Sequence, residues 1–345
     1  MNSRIQSVDL FRFIAIIAVI IIHTSPFKLV GTTDDGIYKY LFILLNQTSR
    51  FAVPFFFVIS GYFWGVKIIK RENITQITIK TTKRLSIIFF IWSCIYLLPF
   101  NYIELYNKGL NNYFSLIYYR INYVINHPIQ LITEGTAVHL WFLPALLCSL
   151  ILNSIFVRYS LVKSLYCISI ILYIFGVLAK SYINTPIGIS SEINPQYGPF
   201  FGTIFFTTGY ILSRLKSSDN WIKYGSILFI FGIITHFTEI YILWKFFNTF
   251  PTHGFVFGTY FMGTGFSVMA LSNHPSLQIK KLSKIGTMTL GIYLIHIIYV
   301  DLFHEIDNHI HTPIWEISYV IIVTISSIIS TLILYKYNIT RKLIN

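Results

Sequence analysis

Long apolar stretches recur from one end of the chain to the other, separated by short polar connections. They predict helical spans over roughly 7–26, 40–65, 83–103, 138–158, 161–180, 197–214, 222–242, 254–271, 284–304 and 314–336. At ~1.5 Å per helical residue, about 20 residues cross a ~30 Å hydrocarbon core, so each stretch is read as a membrane span. The second is interrupted by Asn46-Gln47-Thr48-Ser49-Arg50 and predicts either a long tilted helix or a broken one. Pro54 cannot donate to the carbonyl of Arg50, so a kink is expected there. The longest polar stretches lie near 66–83 and 104–137. No internal repeat, Gly/Ser linker or low-complexity tract interrupts the pattern, and residues 1–345 are read as a single polytopic membrane domain.

Composition agrees. Of the 345 residues, 54% are hydrophobic, 18% aromatic and only 11% charged, and the mean hydropathy is +0.65. These values exclude an ordinary soluble domain and point to an all-α integral membrane protein. Asp9 and Arg12 interrupt the first apolar core, and His23-Thr24-Ser25-Pro26-Phe27 is no small-residue cleavage site. The segment is therefore expected to remain as a first helix rather than to be removed as a signal peptide. Cys94, Cys148 and Cys167 are odd in number and lack CxxC spacing, which argues against a disulfide framework or a cysteine metal site.

The net charge of +13 acquires a meaning once the spans are drawn. With the N-terminus in the cytoplasm, 18 Lys and Arg fall in cytoplasmic segments, among them Arg4, Lys70, Arg71, Lys83 and Arg84, against 6 in outer segments. That split follows the positive-inside rule and predicts ten spans with both termini cytoplasmic. The basic excess is a topology signal with anionic lipid contact, and no nucleic-acid partner is needed to explain it.

Candidate chemistry lies in the polar residues within the spans. Arg12 and His23 bracket ten apolar residues of the first helix. The run between them covers only ~15 Å, so a spanning helix must hold one or both at depth or at the membrane edge. Eleven residues is close to three turns, which puts both side chains on one face. Such groups cost several kcal/mol unless paired or hydrated, and together they suggest a lined cavity. Asp9 is spaced to pair with Arg12, although Arg12 also has the simpler option of snorkelling to the inner headgroups. In the second span, Arg50 and the carbonyl freed by Pro54 fall together, and Ser60-Gly61 offers a small patch for close helix approach. His139 and Trp141 open the fourth span, where the indole is either a sugar-stacking surface or an interfacial anchor. His296 lies toward the outer end of the ninth span, near His304, His309 and His311. No metal site is expected from them, because the stretch after His304 reads as a loop containing Pro313. His236 and Glu239 share a face of the seventh span, as packing or as the lining of a hydrated cavity.

Five blocks carry a family resemblance. Asp9-Leu10-Phe11-Arg12, ten residues and His23 resemble the arginine–ten–histidine opening of the bacterial acyltransferase family 3 membrane proteins. "VPFFFVISGYF" is similar to that family's second-helix signature. Lys83-Arg84 before a Trp92-containing helix resembles the basic start of its third helix. "HLWFLPAL" resembles its fourth-helix signature. "IGTMTLGIYLIH", with Tyr293 and His296, resembles its late Gly/Ser/Tyr/His stretch, with Thr289 where serine is usual. The blocks run in the family's order along the whole chain. The tenth span departs from one subgroup, since "TLILYKYNITRKLIN" has no Glu-x-Pro. No fused hydrolase-like domain is visible either, so the membrane unit is expected to carry the whole transfer, as in members resembling the enterobacterial common antigen O-acetyltransferase.

The resemblance implies a multi-pass protein of the bacterial inner membrane, with no permanently bound cofactor. It implies transfer of an acyl group, usually acetyl from cytoplasmic acetyl-CoA, to a hydroxyl of an extracytoplasmic or lipid-linked carbohydrate. On that reading Arg12, Lys83 and Arg84 bind the coenzyme's phosphates, and the pantetheine arm follows residues 13–22. His23 is then the catalytic base or the acyl carrier. Asp9, Arg50, Ser60, His139, Trp141, Tyr293 and His296 are supporting or acceptor-side residues. Two other classes fit the same helices: a transporter or flippase for a polysaccharide precursor, and a structural partner of a polysaccharide assembly complex. The last predicts that Arg12 and His23 are dispensable.

Overall fold

The computed structural model describes residues 5–33, 36–70 and 73–344, and leaves the side chains of residues 32, 33, 104 and 105 aside. Arg4 and Arg71, both counted in the cytoplasmic charge, lie outside the described residues. In chain order the helices are α1 (Gln6–Thr24), α2 (Lys28–Thr33), α3 (Ile37–Thr48), α4 (Ala52–Ile69), α5 (Ile74–Ile95), α6 (Tyr102–Asn126), α7 (Pro128–Glu134) and α8 (Phe142–Arg158). They continue as α9 (Val162–Leu178), α10 (Pro199–Ser213), α11 (Asn220–Phe247), α12 (Phe257–Leu271), α13 (Lys280–Gly286), α14 (Thr289–His309), α15 (Pro313–Lys336) and α16 (Asn338–Arg341). No strand occurs among the described residues.

Every expected span falls on a helix, but their lengths differ. Among the described residues, five stretches are long and apolar enough to cross a membrane: Gln6–Thr24, Ile37–Ile69, Asn220–Phe247, Thr289–Asp307 and Pro313–Lys336. Helices α8 and α9 have 17 residues each, while α10 and α12 have 15. Fifteen residues reach only ~23 Å, short of a ~30 Å core. The α15 helix shows what solvent these elements are built for. Ile317, Ile321, Ile325, Ile329 and Ile333 are exposed, whereas Tyr319, Val323, Ser327 and Thr331 are buried. Apolar residues outside and hydroxyls inside reverse the pattern of a water-soluble helix. The buried hydroxyls are satisfied locally: Ser327 donates to the Val323 carbonyl and Thr331 to that of Ser327, both at 2.7 Å.

Several boundaries depart from the sequence reading. The break in the second span is a short 3-10 turn at Ser49–Phe51. Pro54 follows in the first turn of α4, so the break contains Arg50, the residue whose carbonyl Pro54 cannot satisfy. Most of 66–83 and 104–137 is helical rather than connecting chain, because polar residues there mark the wet faces of amphipathic helices. The 25-residue α6 is broken only at Gly109, at φ +79°. The expected loop after His304 is instead the last turn of α14, which ends at His309.

The chain divides into two compact units. The first gathers residues within 1–15, 50–86 and 142–286, and the second those within 16–49, 87–141 and 287–345. In the first unit α4 packs on α10 through glycine. A Cβ on Gly61 would lie 2.0 Å from the Phe206 carbonyl oxygen, and one on Gly209 would lie 1.9 Å from that of Val58. Each helix thus supplies a glycine where the other's backbone arrives, the small-residue device of membrane helix pairs. The Ser60 hydroxyl does not enter this contact; it donates to Phe56 of its own helix at 2.7 Å.

In the second unit long-range polar contacts tie the helices. Trp92 donates to the Leu343 carbonyl at 2.9 Å, Tyr96 to that of Leu294 at 2.7 Å, and Tyr319 to that of Val300 at 2.9 Å. Buried Glu316 of α15 accepts from the backbone N–H of Phe27 at 2.9 Å and, at a longer 3.4 Å, from that of Val30. This carboxylate fixes the tight turn that follows α1, where Ser25 and Phe27 take left-handed φ values of +47° and +68°.

Candidate active site

Three histidines from distant parts of the chain meet inside the second unit. His23 comes from the last turn of α1, His139 from the turn before α8, and His296 from the middle of α14. Ring centroids are 5.2 Å apart for His23 and His296, 5.2 Å for His139 and His296, and 6.4 Å for His23 and His139. His139 and His296 are buried, and His23 is half-buried.

The surroundings set the roles of the ring atoms. The Nδ1 of His296 lies 2.6 Å from the Tyr293 carbonyl. A carbonyl only accepts, so Nδ1 carries the hydrogen and Nε2 presents its lone pair. That Nε2 has no hydrogen-bond partner among the described residues, and neither ring nitrogen of His139 has one. Buried polar atoms are nearly always satisfied, so a cluster of three open nitrogens is where a polar ligand would belong. Tyr293 donates its hydroxyl to the His139 carbonyl in a short hydrogen bond. It therefore holds His139 rather than offering a free acid. Tyr96 walls the cluster from the other side, its ring 5.0 Å from His139.

The remaining expected residues are distributed as follows. Arg12 donates to Asp9 at 3.0 Å, as their spacing predicts, and its guanidinium lies 5.3 Å from the Phe63 ring centre. Asp9 is buried and Arg12 half-buried. Lys83 and Arg84 are exposed on α5. All four belong to the first unit. Arg50 is also there, near His253 in the turn before α12, whose imidazole burial and the Arg50 charge push down to about 4. Trp141 is buried, so it offers no open indole face for stacking on a sugar.

Two open readings resolve as packing. Glu239 accepts from Tyr182 at 2.8 Å and from the backbone N–H groups of Phe257 and Gly258 at 3.1 and 2.5 Å, capping α12. His236 pairs with Thr259 at 3.0 Å. Among the described residues no group of three His, Cys, Asp or Glu side chains is arranged to hold a metal ion. Near the end of α14, His304 pairs with Asn308, while His309 and His311 bond backbone carbonyls.

Sequence reasoning marked all three histidines but passed over Tyr96, Arg120 and Glu316. Tyr96 is one aromatic among many in an apolar helix, and Arg120 looks like an ordinary outer charge. Glu316 carried the one available signal, an acidic residue in the first turn of an apolar helix.

A family model described as an acyltransferase domain matches residues 5–336. The chain belongs to acyltransferase family 3. Family 3 membership supports acyl transfer as its chemistry, and its apolar helices make it a membrane protein. Among curated proteins, this family member is similar to an amino-acid racemase of Enterococcus faecalis, 27% identical over 372 aligned positions, covering 99% of this chain and 47% of the relative. A second amino-acid racemase from the same organism is 28% identical over 248 positions, covering 67% of this chain and 32% of the relative. A serine/alanine racemase of Enterococcus gallinarum is 26% identical over 250 positions, covering 66% and 32%. The chain thus spans half or less of the length of the curated relatives it matches. No solved structure matches it.

Proposed function

We propose that the protein transfers acetyl from cytoplasmic acetyl-CoA to a hydroxyl of an extracytoplasmic or lipid-linked carbohydrate, as a multi-pass enzyme of the bacterial inner membrane with ten spans and both termini cytoplasmic. The observation that carries the reading is the meeting of His23, His139 and His296, with the His296 Nε2 lone pair and both His139 nitrogens open. A neutral imidazole is a base at physiological pH. One ring takes the proton of the acceptor hydroxyl as that oxygen attacks the thioester carbonyl. The C–S bond breaks, the coenzyme leaves as its thiolate and is then protonated, and an ester remains. Transfer through an acetyl-histidine is the covalent variant of the same chemistry.

Arg12, Lys83 and Arg84 are assigned to the phosphates of the donor. Asp9 and the Phe63 ring orient the Arg12 guanidinium for that work. The names of the racemase relatives raise an amino acid as a rival substrate, but the alignments reach half or less of those proteins and do not carry their substrate to this chain. The transport reading predicts no consumption of acetyl-CoA.

The test is transfer of radiolabelled acetyl from acetyl-CoA into surface glycan by membranes containing the protein, with His23→Ala alongside. Labelled ester that disappears with His23→Ala, at unchanged protein level, is the expected result. Transfer that survives the substitution would remove His23 from the chemistry. Absence of any acetyl-CoA turnover by the wild type would leave transport in its place.

A further inference from the structure

Beside the histidine cluster, the second unit contains a separate cleft of about 280 Å³. That is close to the lower end of the ~300–1,000 Å³ range of small-molecule pockets. Its walls are α6, α7, the turn after α5, and the Gly135–Thr136 segment three residues before His139.

Three flat rings follow one another at four-residue spacing along one face: Tyr119, Tyr123 and His127. Tyr119 and Tyr123 have ring centroids 6.4 Å apart. Tyr123 stacks on His127 at 4.3 Å and 21°. All three are exposed. Polar groups face them at fixed positions. Arg120 uses Nη1 to hold the carbonyls of Tyr96 and Leu98 at 3.0 and 3.1 Å, and its charge lies within electrostatic reach of the Asp301 carboxylate. Gln130 accepts from the Tyr123 hydroxyl at 2.6 Å through Oε1, which leaves the amide N–H groups as its donors. His127 donates from Nδ1 to the Tyr123 carbonyl at 2.9 Å, leaving Nε2 as an acceptor.

An exposed tyrosine ring beside a stacked Tyr123–His127 pair, with an arginine, an amide and one imidazole acceptor, suits a pyranose. Its C–H face lies on aromatic rings, and its hydroxyls both donate and accept. A lipid tail would leave these polar groups unpaired, and a nucleotide's phosphates would find a single cation. The cleft also touches the cluster through one residue. Arg120 grips the backbone of Tyr96, whose ring lies 5.0 Å from His139.

We infer that this cleft is a sugar-binding subsite, in which the acceptor's pyranose lies on the Tyr119 ring beside the Tyr123–His127 stack, with its hydroxyls on Arg120 and Gln130. Its role as the acceptor subsite rests on the acyl-transfer reading; its ligand class does not.

The experiment is saturation-transfer NMR on the full chain in phosphatidylcholine nanodiscs. The probes are the methyl glycosides of glucose, galactose, N-acetylglucosamine and rhamnose, and acetyl-CoA turnover is measured on the same samples. At least one glycoside should receive saturation on its ring C–H protons. Tyr119→Ala should weaken that binding roughly five- to ten-fold, the size of one lost stacking contact, while Tyr119→Phe should keep it. Gln130→Ala, at an exposed position, should weaken it without lowering the thermal midpoint. His23→Ala should leave the signal intact while ending turnover. Saturation of none of the four glycosides, or a signal indifferent to both Tyr119→Ala and Gln130→Ala, would overturn the subsite. Sugar binding without turnover in the wild type would instead overturn the acyl-transfer reading alone.

Discussion

His296 shows how a single hydrogen bond can sort three similar rings. Because its Nδ1 is committed to the Tyr293 carbonyl, Nε2 is the atom that can take a proton from an incoming hydroxyl. His296→Gln retains an amide N–H for that carbonyl but brings no base. A fall of ~10²–10⁴ in kcat, the usual worth of a general base, is expected, with the KM for acetyl-CoA nearly unchanged; steady-state kinetics on solubilised protein would show it. A KM effect alone would assign the ring to donor binding. His23, His139 and His296 are each noticeable in the chain, because a polar ring in an apolar stretch stands out. Their meeting was not legible, since the three are more than a hundred residues apart and no spacing rule relates them. Arg12 and Asp9 are the opposite case: three residues on one helix fix their neighbourhood, and the pair is where the pattern puts it.

At the level of elements, the turn after α1 depends on a residue from the far end of the chain. Glu316 lies 289 positions from Phe27, yet its carboxylate receives the Phe27 N–H and keeps the end of α1, with His23, in place. Glu316→Ala would leave the buried Phe27 N–H without its carboxylate acceptor, at a cost of ~1–3 kcal/mol. A lower thermal midpoint in detergent is expected, together with a loss of transfer larger than the loss of folded protein. The existence of the apolar helices was readable from the chain because their stretches are long and continuous. Their ends were less so. The helices hidden in 66–83 and 104–137 have wet faces, and a polar run on such a face looks the same in sequence as a loop. The break in the second span was more legible: it falls at Ser49–Phe51, on the Arg50 whose carbonyl Pro54 leaves without its helical partner.

For the whole molecule, the proposed acetyl-CoA reaction predicts a sidedness set by charge. Acetyl-CoA cannot enter hydrocarbon unaided, since its phosphates would have to be desolvated. In sealed inside-out vesicles, external acetyl-CoA should therefore acetylate enclosed acceptor, and in right-side-out vesicles it should not. After the native cysteines Cys94, Cys148 and Cys167 are replaced by serine, labels at Lys70→Cys and Asn308→Cys should react from opposite faces. Labelling of both from one face would refute the ten-span topology. The exposed isoleucines of α15 carry a further consequence for how the molecule meets its solvent. They recur every four residues, whereas the helix turns every 3.6, so each step drifts ~40° around the axis. The lipid-facing strip is thus a screw rather than a side, inclined by about 26° to the axis like any four-residue ridge. Nitroxides at 317, 321, 325, 329 and 333 should collide freely with dissolved oxygen, and those at 319, 323, 327 and 331 should be shielded. A collision profile repeating every four residues would mean that the annular lipids wind along α15, and that a helix packed on its other side follows the same oblique seam.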